Sequence, residues 1–187
     1  LYALTVVLLV VGLASRGDGG THARWLLFMA YDASVTDPAV GWLLAAFAAL
    51  GVSLLLSSLN ALATVHGMKR RGLAFGAMSP LVRGLYAHAL VVAVAAPVLC
   101  TMAVLTAAER ALGLGLFTPL AGGDALLHRH LFWFGVHPLL LTAVLPALGL
   151  ALEVLGRRGD GPPAATPMQR RAMLGLALLS PLGWGQH

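Results

Sequence analysis

Five apolar runs, separated by polar segments, account for most of the sequence; they cover residues 1–15, 39–66, 85–108, 131–155 and 168–187. A helix needs roughly 20 predominantly apolar residues to cross the hydrocarbon core of a bilayer. The first run is shorter, which indicates a span that is truncated or completed by a neighbouring polypeptide. The pattern predicts a single membrane domain over residues 1–187, an all-α polytopic transmembrane helix bundle with about five spans.

Prolines and polar residues interrupt this pattern at defined positions. Pro97 is expected to kink the third run, and Pro138 and Pro146 to break the fourth, because proline lacks the N–H that an interior helical residue donates. His88, in the first turns of the third run, is expected to cap the helix or to reach towards the membrane interface. Residues 111–130 are predicted to form a loop.

The composition excludes several classes of protein. Hydrophobic residues make up 59% of the chain and charged residues 10%, whereas about a quarter of a soluble domain is charged. The sequence pI of about 10.4 does not indicate a nucleic-acid-binding protein, because the basic residues form no stripe among aromatic residues. The single cysteine, Cys100, excludes an internal disulfide and a cysteine-rich metal site.

The basic residues are distributed unequally among the polar segments. Segments 67–84 and 156–171 together hold eight of the twelve Lys and Arg residues and one acid, Asp160. Segments 16–38 and 109–130 hold the other four basic residues and five acids. Consecutive loops alternate sides of the membrane, and basic loops stay on the inner side. Segments 67–84 and 156–171 are therefore predicted to face the cytoplasm, or the matrix of a mitochondrion.

Candidate chemistry is concentrated in the stretch Gly122–Pro138, which contains three histidines. His130 and His137 are seven residues apart, about 10 Å along a helix, so they cannot bind one ion together. His128 and His130 are expected to form hydrogen bonds within the predicted loop. His137 lies inside an apolar run, where an imidazole is costly unless something binds it. A metal ligand and a buried, hydrogen-bonded histidine are both consistent with that position.

A partner for His137 is available at the far end of the last run. His137 is eighteen residues, about 27 Å, from the inner end of its helix near Leu155. His187 is nineteen residues, about 28 Å, from the inner start of its helix near Met168. If these two helices are antiparallel neighbours, the two imidazoles lie at nearly the same depth in the membrane.

The stretch also has a specific order of residues: Gly-Gly-Asp at 122–124, His-Leu-Phe-Trp-Phe at 130–134 and His-Pro at 137–138. This order resembles subunit I of the haem–copper terminal oxidases around the sixth of its twelve transmembrane helices. Asn60–Lys69 and Ala96–Leu99 resemble parts of the fourth and fifth helices of that subunit. The tail from Met173 to His187 is similar to its seventh helix, so the resemblance covers helices three to seven.

The resemblance implies a copper–haem site, with His137 at the position of the first copper ligand. In the family two adjacent histidines complete the copper site, and His187 matches one of them. An ungapped count makes His187 the first of the pair, whereas alignment on Trp184 places Gln186 first and His187 second; both registers stay open. Trp133 is expected to lie near the cofactor site. The family's haem ligands belong to helices that this chain lacks.

The sequence departs from the family pattern directly after the His-Pro pair. The oxygen reductases of the family usually continue with Glu-Val-Tyr, whereas this chain has Leu139-Leu140-Leu141. Leu141 cannot donate a proton and an electron as that tyrosine is thought to do. Leu139 cannot relay protons.

The resemblance implies a segment of a divided or fragmentary catalytic subunit I of a respiratory oxidase, which reduces oxygen to water and pumps protons. The expected partners are chains that complete the subunit and the oxidase complex, membrane lipids, and an electron donor such as cytochrome c. The expected location is the mitochondrial inner membrane or the bacterial plasma membrane. A nitric-oxide-reductase-like activity is an alternative, because those relatives do without the tyrosine. A degenerate structural subunit without its own metal site is another.

Overall fold

The chain forms helices in nearly all of the parts that the structure describes. A computed structural model describes residues 1–15, 31, 39–69, 72–156 and 166–186, and no β-strand occurs in these ranges. The α-helices are α1 (Tyr2–Ala14), α2 (Ala39–Met68), α3 (Pro80–Leu112), α4 (Ala125–Thr142), α5 (Val144–Gly156) and α6 (Pro167–Leu179). Short 3-10 helices occupy Phe75–Ala77, Pro119–Ala121 and Ser180–Gln186.

Within the described ranges, three helical stretches are long and apolar enough to cross a membrane. They are α2 with 30 residues, α3 with 33, and α4 together with α5 over 32, and their mean hydropathies are 2.2, 2.4 and 2.1. A helix of 30 residues is about 45 Å long, which exceeds the hydrocarbon thickness of a bilayer. The shorter α1 is also apolar. The prediction of an all-α membrane helix bundle is confirmed.

The helices α3 and α4 begin earlier than the apolar runs predict. Ser79 precedes α3, and its Oγ accepts a hydrogen bond from the backbone N–H of Val82 at 3.4 Å. Asp124 precedes α4, and its Oδ1 accepts from Leu126 N–H at 2.8 Å. Both residues are good N-caps because their side chains satisfy an N–H of the first helical turn. Capping therefore extends α3 and α4 into polar sequence.

This extension overturns one prediction. His128 and His130 were expected in a loop over residues 111–130, but both lie in the first turns of α4. The connection between α3 and α4 is correspondingly shorter. Buried Glu109, near the end of α3, holds the connection: its carboxylate accepts hydrogen bonds from Leu116 N–H at 2.8 Å and Thr118 Oγ at 2.9 Å.

Prolines interrupt the fourth apolar run at one point only. The break falls at Ala143, between α4 and α5. Pro146 explains the break, because it has no N–H to donate to the carbonyl of Thr142 and its ring crowds that carbonyl. The prediction of a break at Pro138 is wrong, since α4 continues through that residue. α3 likewise continues through Pro97.

Contacts divide the described chain into two compact units. The first unit comprises residues 1–54 and 96–135, and the second comprises 55–95 and 136–186. In the first unit, Val40 and Leu44 of α2 pack with Ala103 of α3 to form a buried cluster.

The buried cluster of the second unit joins three helices. Ala87 of α3, Leu145 of α5, and Met173 and Ala177 of α6 are each less than 10% exposed and pack together. Such a mixture of small and large side chains lets helices approach closely in a membrane, where van der Waals packing drives association.

Two glycines bring α3 and α5 into backbone contact in the second unit. A Cβ atom added at Gly149 would lie 2.6 Å from the carbonyl oxygen of Pro80, and one added at Gly84 would clash with the carbonyl oxygen of Leu145. Backbone atoms cannot move aside as the end of a flexible side chain can. The crossing therefore depends on the absence of a side chain at both positions.

We expect Gly84→Ala and Gly149→Ala each to lower the free energy of unfolding by about 1–3 kcal/mol, the usual cost of overpacking. Gly175→Ala is the matched control, because Gly175 lies in α6 of the same unit and a Cβ there would meet nothing within 4 Å. The control should be neutral or stabilising by up to about 1 kcal/mol, because alanine favours the helix. Unfolding in mixed detergent measures the free energy of unfolding of all three variants. Equal changes in the three variants would contradict the close crossing of α3 and α5.

Candidate functional site

His137 packs against the C-terminal 3-10 helix of the second unit. The side chain is half-buried. A Cβ atom added at Gly183 would lie 2.6 Å from Nε2 of His137 and 2.7 Å from Cδ2. The Nε2 edge of the imidazole therefore lies directly against the backbone of Gly183. Only glycine permits an approach this close without displacing the ring.

Pro181 accounts for the change from α-helix to 3-10 helix at this point. An interior helical residue at position 181 would donate its N–H to the carbonyl of Ala177, and proline has none to donate. The hydroxyl of Ser180, which is 1% exposed, donates to that carbonyl instead at 2.9 Å. The chain then continues as the 3-10 helix that contains Gly183.

The second predicted copper ligand, His187, lies outside the described residues. His137 contacts Gly183, which is four residues before His187 in the sequence. The pairing of the two imidazoles stays a prediction. Within the described ranges, no group of three or more His, Cys, Asp or Glu side chains is arranged to hold a metal ion. The described donor set for copper is thus one imidazole, a ligand type that suits this metal.

The residues on either side of His137 in the sequence of α4 are apolar or aromatic. Leu139 is half-buried, and Leu141 is 39% exposed. Neither can take up or release a proton. Trp133, four residues before His137 in α4, makes an edge-to-face contact with Phe132, with ring centroids 5.4 Å apart. This contact is ordinary aromatic packing, and a role for Trp133 at a cofactor stays a prediction.

Thr142 links the helix that carries His137 to α3. Its side chain is fully buried, and its Oγ1 lies 2.7 Å from the carbonyl oxygen of Pro138 and 2.9 Å from Nδ1 of His88. The hydroxyl has one proton, which it donates to the carbonyl of Pro138. Its oxygen can then only accept a hydrogen bond from His88, which requires that His88 carries a proton on Nδ1.

The predicted role of His88 in capping or interfacial reach is therefore wrong. The ring lies between helices and bonds a residue 54 positions away in the sequence. Sequence reasoning missed Thr142 because a lone threonine in an apolar run gives no signal of its own. The only available hint was that a buried polar side chain must find a partner.

His128 belongs to a different environment, in the first unit. It is 1% exposed and lies beside two aromatic rings, Phe117 at 5.5 Å and Tyr31 at 6.0 Å between ring centroids. His130 is half-buried in the same helix. The arrangement of His128 is that of a packed core histidine.

The sequence is similar to known proteins of one family. The family model for cytochrome C and quinol oxidase polypeptide I matches residues 1–187. Cytochrome c oxidase subunit 1 of Cereibacter sphaeroides is 26% identical over 190 residues, covering 100% of this chain and 34% of that protein. The subunit 1 of Plasmodium chabaudi is 26% identical over 188 residues, covering 100% of this chain and 40% of that protein.

A third relative is similar over a shorter range. Cytochrome c oxidase subunit 1 of Thermostichus vulcanus is 29% identical over 143 residues, covering 76% of this chain and 26% of that protein. The matched region thus spans between 26% and 40% of the length of these three curated relatives.

The contact between His88 and Thr142 leads to a prediction. Replacing Thr142 by Val removes the hydroxyl at nearly constant volume and leaves the half-buried imidazole of His88 without this partner. We expect the free energy of unfolding to fall by about 1–3 kcal/mol. In ¹⁵N NMR of labelled histidine, the preference of His88 for a proton on Nδ1 should weaken. Thr142→Ser keeps the hydroxyl and should retain the tautomer. Equal effects of Val and Ser would contradict the bond.

Proposed function

The chain belongs to the family of cytochrome c and quinol oxidase polypeptide I, and from this membership we propose that it is part of the catalytic subunit of a respiratory haem–copper oxidase. The match of the family over residues 1–187 carries the proposal. The enzyme would take electrons from a donor such as cytochrome c, reduce oxygen to water and pump protons. Its place would be the mitochondrial inner membrane or the bacterial plasma membrane.

Within that enzyme, this chain contributes to the copper side of the site. His137 is the proposed first ligand, through a nitrogen of its imidazole ring, which packs against Gly183. His187 is the proposed second ligand. Imidazole nitrogen is a suitable donor for copper, and copper, when bound, supplies a centre that exchanges electrons with the substrate. Gly183 supports this assignment by holding the ring in place, because its backbone packs closely against the imidazole.

Other residues of the chain hold the ligand in place. Thr142 bonds the carbonyl of Pro138, the residue that follows His137, and also contacts His88. These two contacts fix the backbone beside the proposed ligand and join α4 to α3. Leu139 and Leu141 provide an apolar surface without proton-exchanging groups. The haem ligands and the remaining donors would come from parts of the oxidase that this sequence does not include.

Leu141 favours nitric oxide reduction as a second candidate function. In the family that the sequence resembles, the oxygen reductases usually have a tyrosine at this position, which Leu141 cannot replace as a donor of a proton and an electron. Nitric-oxide-reducing relatives dispense with the tyrosine. Turnover of oxygen and of nitric oxide by the same preparation distinguishes the two activities.

His137→Ala tests the copper assignment in the assembled oxidase. We expect the enzyme to lose the copper ion of this site, which lowers the copper content per haem. Turnover should fall at least about 100-fold, because loss of a residue that only hydrogen-bonds a metal ligand already costs about 10–100-fold in metal affinity or activity. Elemental analysis gives the copper content, and the visible spectrum shows whether the haems remain. Retention of the haems shows that the loss is confined to copper.

His66→Ala is the matched control, because His66 lies at the exposed end of α2, where its Nε2 is 3.0 Å from the hydroxyl of Tyr86. Copper should stay unchanged in this variant. Gly183→Ala should lower copper occupancy, since its methyl group displaces the His137 ring. Unchanged copper and turnover in His137→Ala would contradict the proposal and favour a structural subunit without its own metal site.

A further inference from the structure

A small cavity in the second unit lies where α3 and α6 begin. Its volume is about 340 Å³, at the lower end of the range of about 300–1,000 Å³ typical of ligand pockets. Three arginines, Arg83, Arg170 and Arg171, line it together with Gly76. The concentration of three positive charges around one cavity is the feature that needs a physical explanation.

Arg83 contributes a buried guanidinium to this cavity. The residue is 3% exposed. Its Nη1 donates a hydrogen bond to the carbonyl oxygen of Gly76 at 2.9 Å, whereas its buried Nε and Nη2 have no hydrogen-bond partner within the described part of the chain. A buried charged group without a full set of partners costs several kcal/mol. An anion in the cavity would supply the missing acceptors.

The neighbouring arginines add to the positive charge. Nη1 of Arg170 lies 3.5 Å from the same carbonyl oxygen of Gly76, so two guanidinium groups meet at one acceptor. Arg171 is exposed at the edge of the cavity. Among the described residues, none of the three forms an ion pair with a carboxylate. Like charges this close repel each other unless an anion lies between them.

The shape of the cavity indicates which anions fit. Pro167, the first residue of α6, lines the cavity, and the N-terminal end of a helix carries partial positive charge that favours an anion. The remaining wall is apolar, formed by Ala87, Met173 and Leu174. Guanidinium groups bind phosphate oxygens through paired N–H donors. A phosphate group attached to a small apolar body matches both parts of the wall.

We propose that this cavity binds a phosphate-bearing anion through Arg83, Arg170 and Arg171. The ligand is a phospholipid headgroup or a free phosphate, which share this chemistry. The location agrees with either source, because the three arginines belong to segments 67–84 and 156–171, the basic pair on the predicted inner side of the membrane. Basic pockets between transmembrane helices on that side commonly bind anionic headgroups.

Binding to the full chain in an uncharged detergent tests the proposal. The probes are inorganic phosphate and a short-chain phosphatidylglycerol, and titration calorimetry gives the dissociation constants. Arg83→Gln should weaken binding about 10- to 100-fold, the effect of losing charge-assisted hydrogen bonds. Arg171→Gln, an exposed substitution that leaves the buried packing intact, should weaken it about two- to fivefold.

Lys69→Gln is the control, because Lys69 is an exposed cation of the same inner segment that does not line the cavity. It should change affinity less than either arginine variant. Binding of phosphatidylglycerol alone identifies a lipid site, and binding of inorganic phosphate with similar affinity identifies a phosphate site.

Two results would overturn the proposal. One is that neither probe binds the unmodified chain. The other is that Arg83→Gln and Arg171→Gln lower affinity no more than Lys69→Gln does. If Arg83→Gln fails to fold, the comparison of Arg171→Gln with Lys69→Gln decides the outcome.

Discussion

A chain that crosses hydrocarbon must satisfy its own polar groups, because no water is available there to do so. Prolines make this requirement severe in the second unit, since each one removes an N–H from a helix. At the end of α6, the hydroxyl of Ser180 bonds the carbonyl that faces Pro181. In α4, the buried hydroxyl of Thr142 bonds the carbonyl of Pro138 in the preceding turn. Short-range bonds to backbone carbonyls thus satisfy buried hydroxyl groups in this unit.

The same hydrogen bonds position the candidate site. The hydroxyl of Thr142 also contacts Nδ1 of His88, which joins α4 to α3. The change to a 3-10 helix after Ser180 brings Gly183 against His137. The backbone crossing of α3 and α5 at Gly84 and Gly149 lies in the same unit. The position of the imidazole is therefore set by hydrogen bonding and close packing together.

The bundle could be predicted from the sequence, because long apolar runs leave few alternatives to membrane helices. The starts of α3 and α4 could not be predicted, because the capping residues indicated a helix whereas the polar residues after them indicated a loop. Ser79 and Asp124 are good caps, but Arg83 and His128 within the first turns read as loop residues, although both are buried in the fold. The partnership of His88 with Thr142 depends on tertiary packing across 54 residues, which no local pattern encodes.

The buried hydroxyl groups and the buried guanidinium of the second unit are satisfied in different ways. Thr142 and Ser180 find acceptors a few residues away, because a neutral hydroxyl needs only one carbonyl to offset its burial. A guanidinium has five donors and a full charge, which one carbonyl cannot satisfy. Arg83 has one such carbonyl, that of Gly76, and shares it with Arg170. At the proposed site, an acceptor of opposite charge offsets this burial, so packing around Arg83 would depend on the bound anion.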